Sequence, residues 1–299
     1  MPLLATEAAK LSNIMLERGV IEEIIDKEEL FALFPFKHVN GKAYVYNREG
    51  TLSEGTFLNP YDAVTEGAAT FNQITTYLKI MAGDVDLDKF LVSTQSDSND
   101  QLAIQLAAKS KAMARLFKRT LAQGDSVATP TSFDGVRALT PAGQTLVAGT
   151  NGAAVNLDMI DQLRDTVKNG ADVFMMRPGT WRAIRSILRA INGNDATMIT
   201  VKDFGAMRAI DGIPVIVNEF LDATEVQGSN PNTCSIYGLT LNEVNGLHGI
   251  VGGEAAGLTV ENIGTVQNKD CVRYRVKWYV STALKSTQSI ARLKGITNI

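Results

Sequence analysis

The chain has 299 residues, 45% of them hydrophobic and 20% charged, which excludes a disordered or collagen-like polypeptide and leaves ample material for one large or two modest domains. Its 29 Lys and Arg against 32 Asp and Glu give a net charge of -3, so no global basic field draws it to nucleic acid or to an anionic membrane. Two Cys (Cys234, Cys271) and two His (His38, His248) are too few for a zinc site of these residue types or for a disulfide framework.

Glu7, Lys10, Glu17 and Arg18 interrupt the apolar core that a secretory signal needs, and no run of about 18 uncharged apolar residues occurs, so the expectation is a soluble protein made in a cytosol. Residues 1–34 predict amphipathic helix. Leu4, Ala8, Leu11 and Met15 fall on one stripe, and Ile21, Ile24, Ile25, Leu30, Phe31 and Phe34 continue the apolar content. Such a helix packs either on its own domain or on a neighbouring subunit.

From Phe36 the pattern turns to β. Tyr44 and Tyr46 alternate with Val45, Asn47-Arg48-Glu49-Gly50 reads as a turn, and a second alternating run from Phe71 to Ile80 returns the chain. A polar stretch with Gly55, Asn59-Pro60 and Gly67 lies between them. The result is a long two-stranded ribbon, marginal alone in water, whose open edges suit docking on another chain. Asp86 to Val92 reads as extended. Ser96 to Asp100 then supplies N-cap residues for the strongest helix in the sequence, Gln101 to Gln123, which has no Pro or Gly and spans roughly 35 Å. Its body carries Lys109, Lys111, Arg115, Lys118 and Arg119. That basic face is either solvated or turned toward polyphosphate or acidic partner loops.

Residues 124–156, rich in Gly, Thr, Ser, Ala and Pro, read as a domain boundary. An α/β alternation comes next: a helix capped by Asn156, a buried strand Val173 to Met176, a helix opened by Pro178, and strands at Gly212 to Val217 and Cys234 to Leu239. The last part is β again, at Leu258 to Val266, Cys271 to Leu284 and Ser289 to Ile296. In the middle run Val272, Tyr274, Val276, Trp278 and Val280 alternate with Arg273, Arg275, Lys277 and Tyr279.

Catalytic templates fail in turn. Gly252 to Gly257 leads into a strand pattern and cannot place a phosphate at a helix N-terminus. Asp84 to Asp88 mimics half a calcium loop, but Lys89 stands where the turn glycine belongs. Gly124-Asp125-Ser126 lacks a positioned base, and His248, between Gly246 and Gly249, reads as a turn residue. Glu22-Glu23 and Glu28-Glu29 are adjacent pairs whose side chains diverge on a helix. No catalytic residue, cofactor site or metal site is assigned, and no enzymatic activity is expected.

The order of elements, together with Leu33-Phe34-Pro35-Phe36, Gly41, Tyr44 to Gly50, Asp88-Lys89-Phe90-Leu91, Asp125 to Gly135 and Gly212-Ile213-Pro214-Val215, resembles the major capsid proteins of tailed bacteriophages, the HK97-like fold shared with encapsulin shells. The resemblance implies an α+β fold with an N-terminal arm (1–35), an extended β-hairpin E-loop (36–82) and a P-domain (83–150) with a spine helix at 98–123. An α/β A-domain (151–260) and returning strands (261–299) complete it. It implies a virion component, assembled in the bacterial host cytoplasm as hexamers and pentamers into an icosahedral head around double-stranded DNA. That DNA is enclosed without sequence-specific binding, and no membrane is involved. Separate scaffolding, portal and decoration proteins are possible partners. Tyr44, Tyr46, Phe71 and Tyr77 are the expected inter-subunit ribbon contacts, and the basic helix face would meet the interior or a neighbour. No crosslink through Lys42 or Lys79 is expected. An encapsulin-like nanocompartment and a soluble α/β enzyme are the alternatives.

Overall fold

A computed structural model describes residues 29–64, 66–95, 101–192, 198–201, 205–253 and 257–299. The expected helical stripe from Leu4 to Ile25 and the cap residues Ser96 to Asp100 lie outside the described residues.

Strand β14 (Cys271–Leu284) organises one half of the molecule. One of its edges pairs antiparallel with β4 (Lys79–Asp88), in register from Cys271 opposite Asp88 to Val280 opposite Lys79. The other edge is taken in succession by β12 (Leu247–Gly252) and β13 (Thr259–Thr265), and β1 (Phe36–His38) adds in parallel to β12. Alternation along β14 puts Val276, Trp278 and Val280 on the buried face, where they join Met81 and the α3 helix (Gln101–Gln123) through Met113, Phe117 and Leu121. A short helix α1 (Glu29–Leu33) seals this cluster, with the Phe31 ring tilted against Phe117 at 5.6 Å.

Two sequence expectations change here. The strand returning from Phe71 breaks at Leu78, and the chain from Lys79 onward belongs to the β14 sheet. Asp88 then stops β4 and caps a helix, α2 (Lys89–Gln95), its Oδ1 accepting from the Phe90 and Leu91 amides at 2.9 and 3.3 Å. The segment to Val92 is therefore strand then helix, not one extended run.

The second half is a sheet in the order β5 (Thr145–Val147), β15 (Ile290–Ile296), β11 (Asn230–Leu239), β6 (Val173–Met176), β9 (Ile213–Val217), β8 (Gly205–Ile210), β7 (Met198–Val201), with β10 (Glu225–Gln227) on β11. Phe174, Met176 and Val215 face helices α5 (Leu157–Thr166) and α6 (Pro178–Asn192) through Ile160, Leu163 and Ile184. Val173, Met175 and Ile216 face the other way, into the cluster of α3 and β14. With both faces covered, β6 has to be an unbroken apolar run. Asn156 caps α5 by accepting from the Met159 amide at 2.7 Å, and Asp211 and Gly212, both at positive φ, close the β8–β9 hairpin as a type I′ turn requires.

The 124–156 stretch contains α4 (Val136–Leu139) and β5, and β5 pairs in parallel with β15, so its end is built into the second sheet. Its start folds hard against α3. A Cβ on Gly135 would stand 2.5 Å from the Thr120 carbonyl oxygen, so only glycine permits the approach. The two halves are joined by the strap after β9: Asn218 Nδ2 donates to the Lys118 carbonyl at 3.4 Å, Gln123 Nε2 to Phe220 O at 2.5 Å, and Arg137 pairs with Asp222 at 3.0 Å.

Candidate assembly surfaces

β2 (Ala43–Glu49) and β3 (Phe71–Tyr77) form the ribbon, in register from Ala43 opposite Tyr77 to Glu49 opposite Phe71. The expected turn at 47–50 is strand, and pairing continues to the Gly50 amide on Thr70 O and the Thr70 amide on Thr51 O. Beyond this the chain opens into a tip whose side chains have no cover: Phe57 and Tyr61 are fully exposed, and Leu52 and Val64 are 69% and 76% exposed. Asn59 and Asp62 bracket a turn through mutual backbone and carboxylate bonds of 2.8 and 3.1 Å. Tyr61 sits at its third position with φ of 77°. A bulky residue in that region is strained by roughly 1–3 kcal/mol, and such strain persists where presenting the side chain matters.

The base of the ribbon lies on its own subunit. Tyr46 Oη donates to Leu284 O at 2.7 Å, Arg48 Nε to Lys285 O and Arg48 Nη2 to Leu284 O, both at 2.7 Å. Tyr44 and Tyr46 pack on Val39, Ile250 and Ala283, and burial raises the Tyr46 hydroxyl above its ordinary value. Lys37 and Lys285 lie over the Tyr44 ring, 5.5 and 5.9 Å from its centre. Of the four expected ribbon contacts, then, Tyr44 and Tyr46 are half-buried in their own subunit, while Phe71 and Tyr77 are 66% and 53% exposed. The tip residues were missed because they fall among Gly55, Asn59-Pro60 and Gly67 with no helical or strand period to mark them.

His248 is not in a turn. It lies in β12 with no exposure, edge-on to Tyr44 at 5.8 Å, and its Nε2 has no hydrogen-bond partner. Burial holds its imidazole below the ordinary pKa, aided by Lys285 and Lys37, against the Gly246 carbonyl and Glu243, which raise it.

The basic residues of α3 do not make one free face. Lys118 is only 5% exposed and lies 5.7 Å from the Phe31 ring centre; Arg115 pairs with Glu219 at 3.0 Å and, with Arg119, covers Phe220. Lys109 crosses Gly83, where a Cβ would stand 2.2 Å from its Cε, and Lys111 is half-buried. Partners distant in sequence thus engage Arg115, Lys118 and Arg119.

On the outer face of β4, β14 and β13 the basic row is met by acids. Arg273 is bidentate to Asp86 at 2.6 and 2.7 Å, Arg275 to Asp84 at 2.7 and 2.9 Å, and Lys277 pairs with Glu261 at 2.6 Å. These bonds hold the Asp84 and Asp86 carboxyls below their usual range. A groove of about 440 Å³ lies over this ladder, between Ile80, Glu261 and Tyr279. Both thiols are free and buried, and burial raises them, opposite to the direction an activated nucleophile needs. Among the described residues no three His, Cys, Asp or Glu side chains group as a metal site, and no helix is long and apolar enough to cross a membrane.

A projecting ribbon, a long helix under a β-sheet and a second helix-covered sheet joined by returning strands constitute the HK97-like capsid fold. The chain is similar to the SrpI encapsulin of Synechococcus elongatus PCC 7942, with a TM-score of 0.74 at 19% identity over 99% of this chain and 96% of that one. It is similar to the capsid of the native GTA particle, at 0.69 and 16% with 98% of each chain covered, and to that of Mycobacterium phage Bobi, at 0.66 and 13% over 98% of each. No protein-family model and no curated protein matches the sequence.

Proposed function

We propose that the chain is the major capsid protein of a phage-like head, assembling through hexamers and pentamers into an icosahedral shell around double-stranded DNA, and that it has no enzymatic activity. The observation that carries this is the ribbon tip: a fold shared with shell subunits projects Phe57 and Tyr61 with no cover from their own chain. An isolated ribbon with bare aromatic residues is an association surface in waiting, and a second subunit supplies its cover. Repeated heterologous contacts close into rings when the rotation between copies closes. The encapsulin likeness at a TM-score of 0.74 favours a second reading, a nanocompartment around a protein cargo.

Negative-stain microscopy of the purified chain tests the shell. Closed particles are expected, and a homogeneous monomer at high concentration rejects it. Particles from the native host then separate the two readings: nuclease-protected double-stranded DNA marks a head, and a co-enclosed folded protein marks a compartment.

A further inference from the structure

The ribbon is electrically lopsided along its length. From Glu49 to Leu78 it carries Glu49, Glu54, Asp62 and Glu66 and no Lys, Arg or His, although 29 Lys and Arg in 299 residues would place about three there by chance. The base is the opposite. Lys37 and Lys285 flank Tyr44, Arg48 is fixed beside them on the Lys285 carbonyl, and among the described residues none of the three makes an ion pair. Glu243 acts on His248 beneath this surface but pairs with neither lysine.

Tip and base of one ribbon do not meet. Phe57 and Tyr61 are fully exposed, so the tip does not fold back, and among the described residues Glu54, Asp62 and Glu66 form no ion pair with Lys37, Arg48 or Lys285. One chain therefore carries two complementary surfaces that find each other only between copies. We propose that the tip of one copy seats on the Lys37, Tyr44 and Lys285 surface of the next, its carboxylates meeting the lysines and its aromatic rings covering Tyr44. This rests on the shell reading and names the acceptor surface that it needs. The contact is heterologous, tip to base, so it passes from copy to copy and forms a ring where the rotation between copies closes. Opposed charge on the two sides also speeds encounter and disfavours tip-to-tip pairing.

A zero-length carbodiimide crosslink on the unaltered chain tests it, with assembly from equal parts of light and ¹⁵N-labelled protein. Mixed-isotope peptides joining Glu54, Asp62 or Glu66 to Lys37 or Lys285 are expected. Particles whose mixed-isotope links go only to other lysines overturn the contact while leaving the shell reading intact. Mixed links from open oligomers that never close support the contact and defeat the shell reading. A charge exchange gives the second arm: K37E with K285E should lower particle yield at least about tenfold with circular dichroism unchanged, and adding E54K, D62K and E66K should restore it. Normal assembly by the lysine variant, with reduced nucleic acid inside, overturns the proposal in favour of a nucleic-acid role for the base.

Discussion

Arg48, in the ribbon, donates through Nε to the carbonyl of Lys285 at 2.7 Å, which fixes the angle at which the ribbon leaves the β14 sheet. Nη2 takes the neighbouring Leu284 carbonyl, which also accepts from Tyr46 Oη. Hydrogen bonds from a charged donor contribute about 1.5–3 kcal/mol each. R48A should therefore leave the core melting transition in place and selectively raise hydrogen exchange over residues 43–49 and 71–77. Assembly should slow because the ribbon loses its fixed direction. Unchanged ribbon exchange would show that Tyr44 and Tyr46 suffice to hold it.

Separating tip from base in mutagenesis distinguishes assembly from folding. F57S with Y61S removes only exposed rings, so the subunit Tm should stay within experimental scatter while particle formation fails. Y44S with Y46S removes packing on Val39, Ile250 and Ala283, and should destabilise the subunit by about 2 kcal/mol or more. Equal effects of the two double variants on Tm would contradict this division of labour.

How much of this was legible in the sequence depends on what covers each element. β6 could be read because both its faces are buried, and β14 because its faces differ. His248 could not, since the glycines around it looked like turn residues. In the fold they are required by close approach: a Cβ on Gly246 would stand 2.4 Å from the Thr240 carbonyl oxygen, and one on Gly249 2.4 Å from Phe36 Cδ1. Likewise the cations of α3 looked like a face until Phe31, Glu219 and Phe220 arrived from elsewhere in the chain to occupy them. The ribbon was legible, but which of its residues are free was not, because the base is covered by β12 and β14 from about 200 residues away.

A buried ion pair ties β10 to β15. Arg292 Nη2 lies 2.7 Å from Glu225 Oε2, Arg292 Nε donates to Ser235 Oγ at 2.9 Å, and Ser235 in turn donates to the Glu225 carboxylate. Glu225 is 6% exposed, so removing its partner strands a charge. R292M should cost about 3–5 kcal/mol, and E225Q combined with R292M should recover much of it. The check is chemical denaturation of both variants; equal losses would mean that the cost lies in packing around Tyr237 rather than in the orphaned carboxylate.

His248 gives the subunit a pH dependence of known sign. Its folded-state pKa is depressed by burial, so below about 6.5 the unfolded chain takes up a proton that the folded chain refuses, and stability falls as pH falls. One such group sets a slope of at most about 1.4 kcal/mol per pH unit, and the slope ends once the pH passes below the folded-state value. Glu243 and the Gly246 carbonyl oppose the depression, while Lys37 and Lys285 add to it, so K285M should shift the onset of levelling to higher pH. H248F, which keeps the aromatic contact with Tyr44 and removes the unpartnered Nε2, should flatten stability between pH 7 and 5. Urea denaturation at half-unit pH intervals reads this directly. A wild-type slope that survives in H248F would assign the effect to other groups. Because His248 lies under the ribbon base, the wild-type protection of residues 43–49 against hydrogen exchange, taken relative to the intrinsic rate at each pH, should fall over the same interval, and a fall confined to the second sheet would place the acid-sensitive region elsewhere.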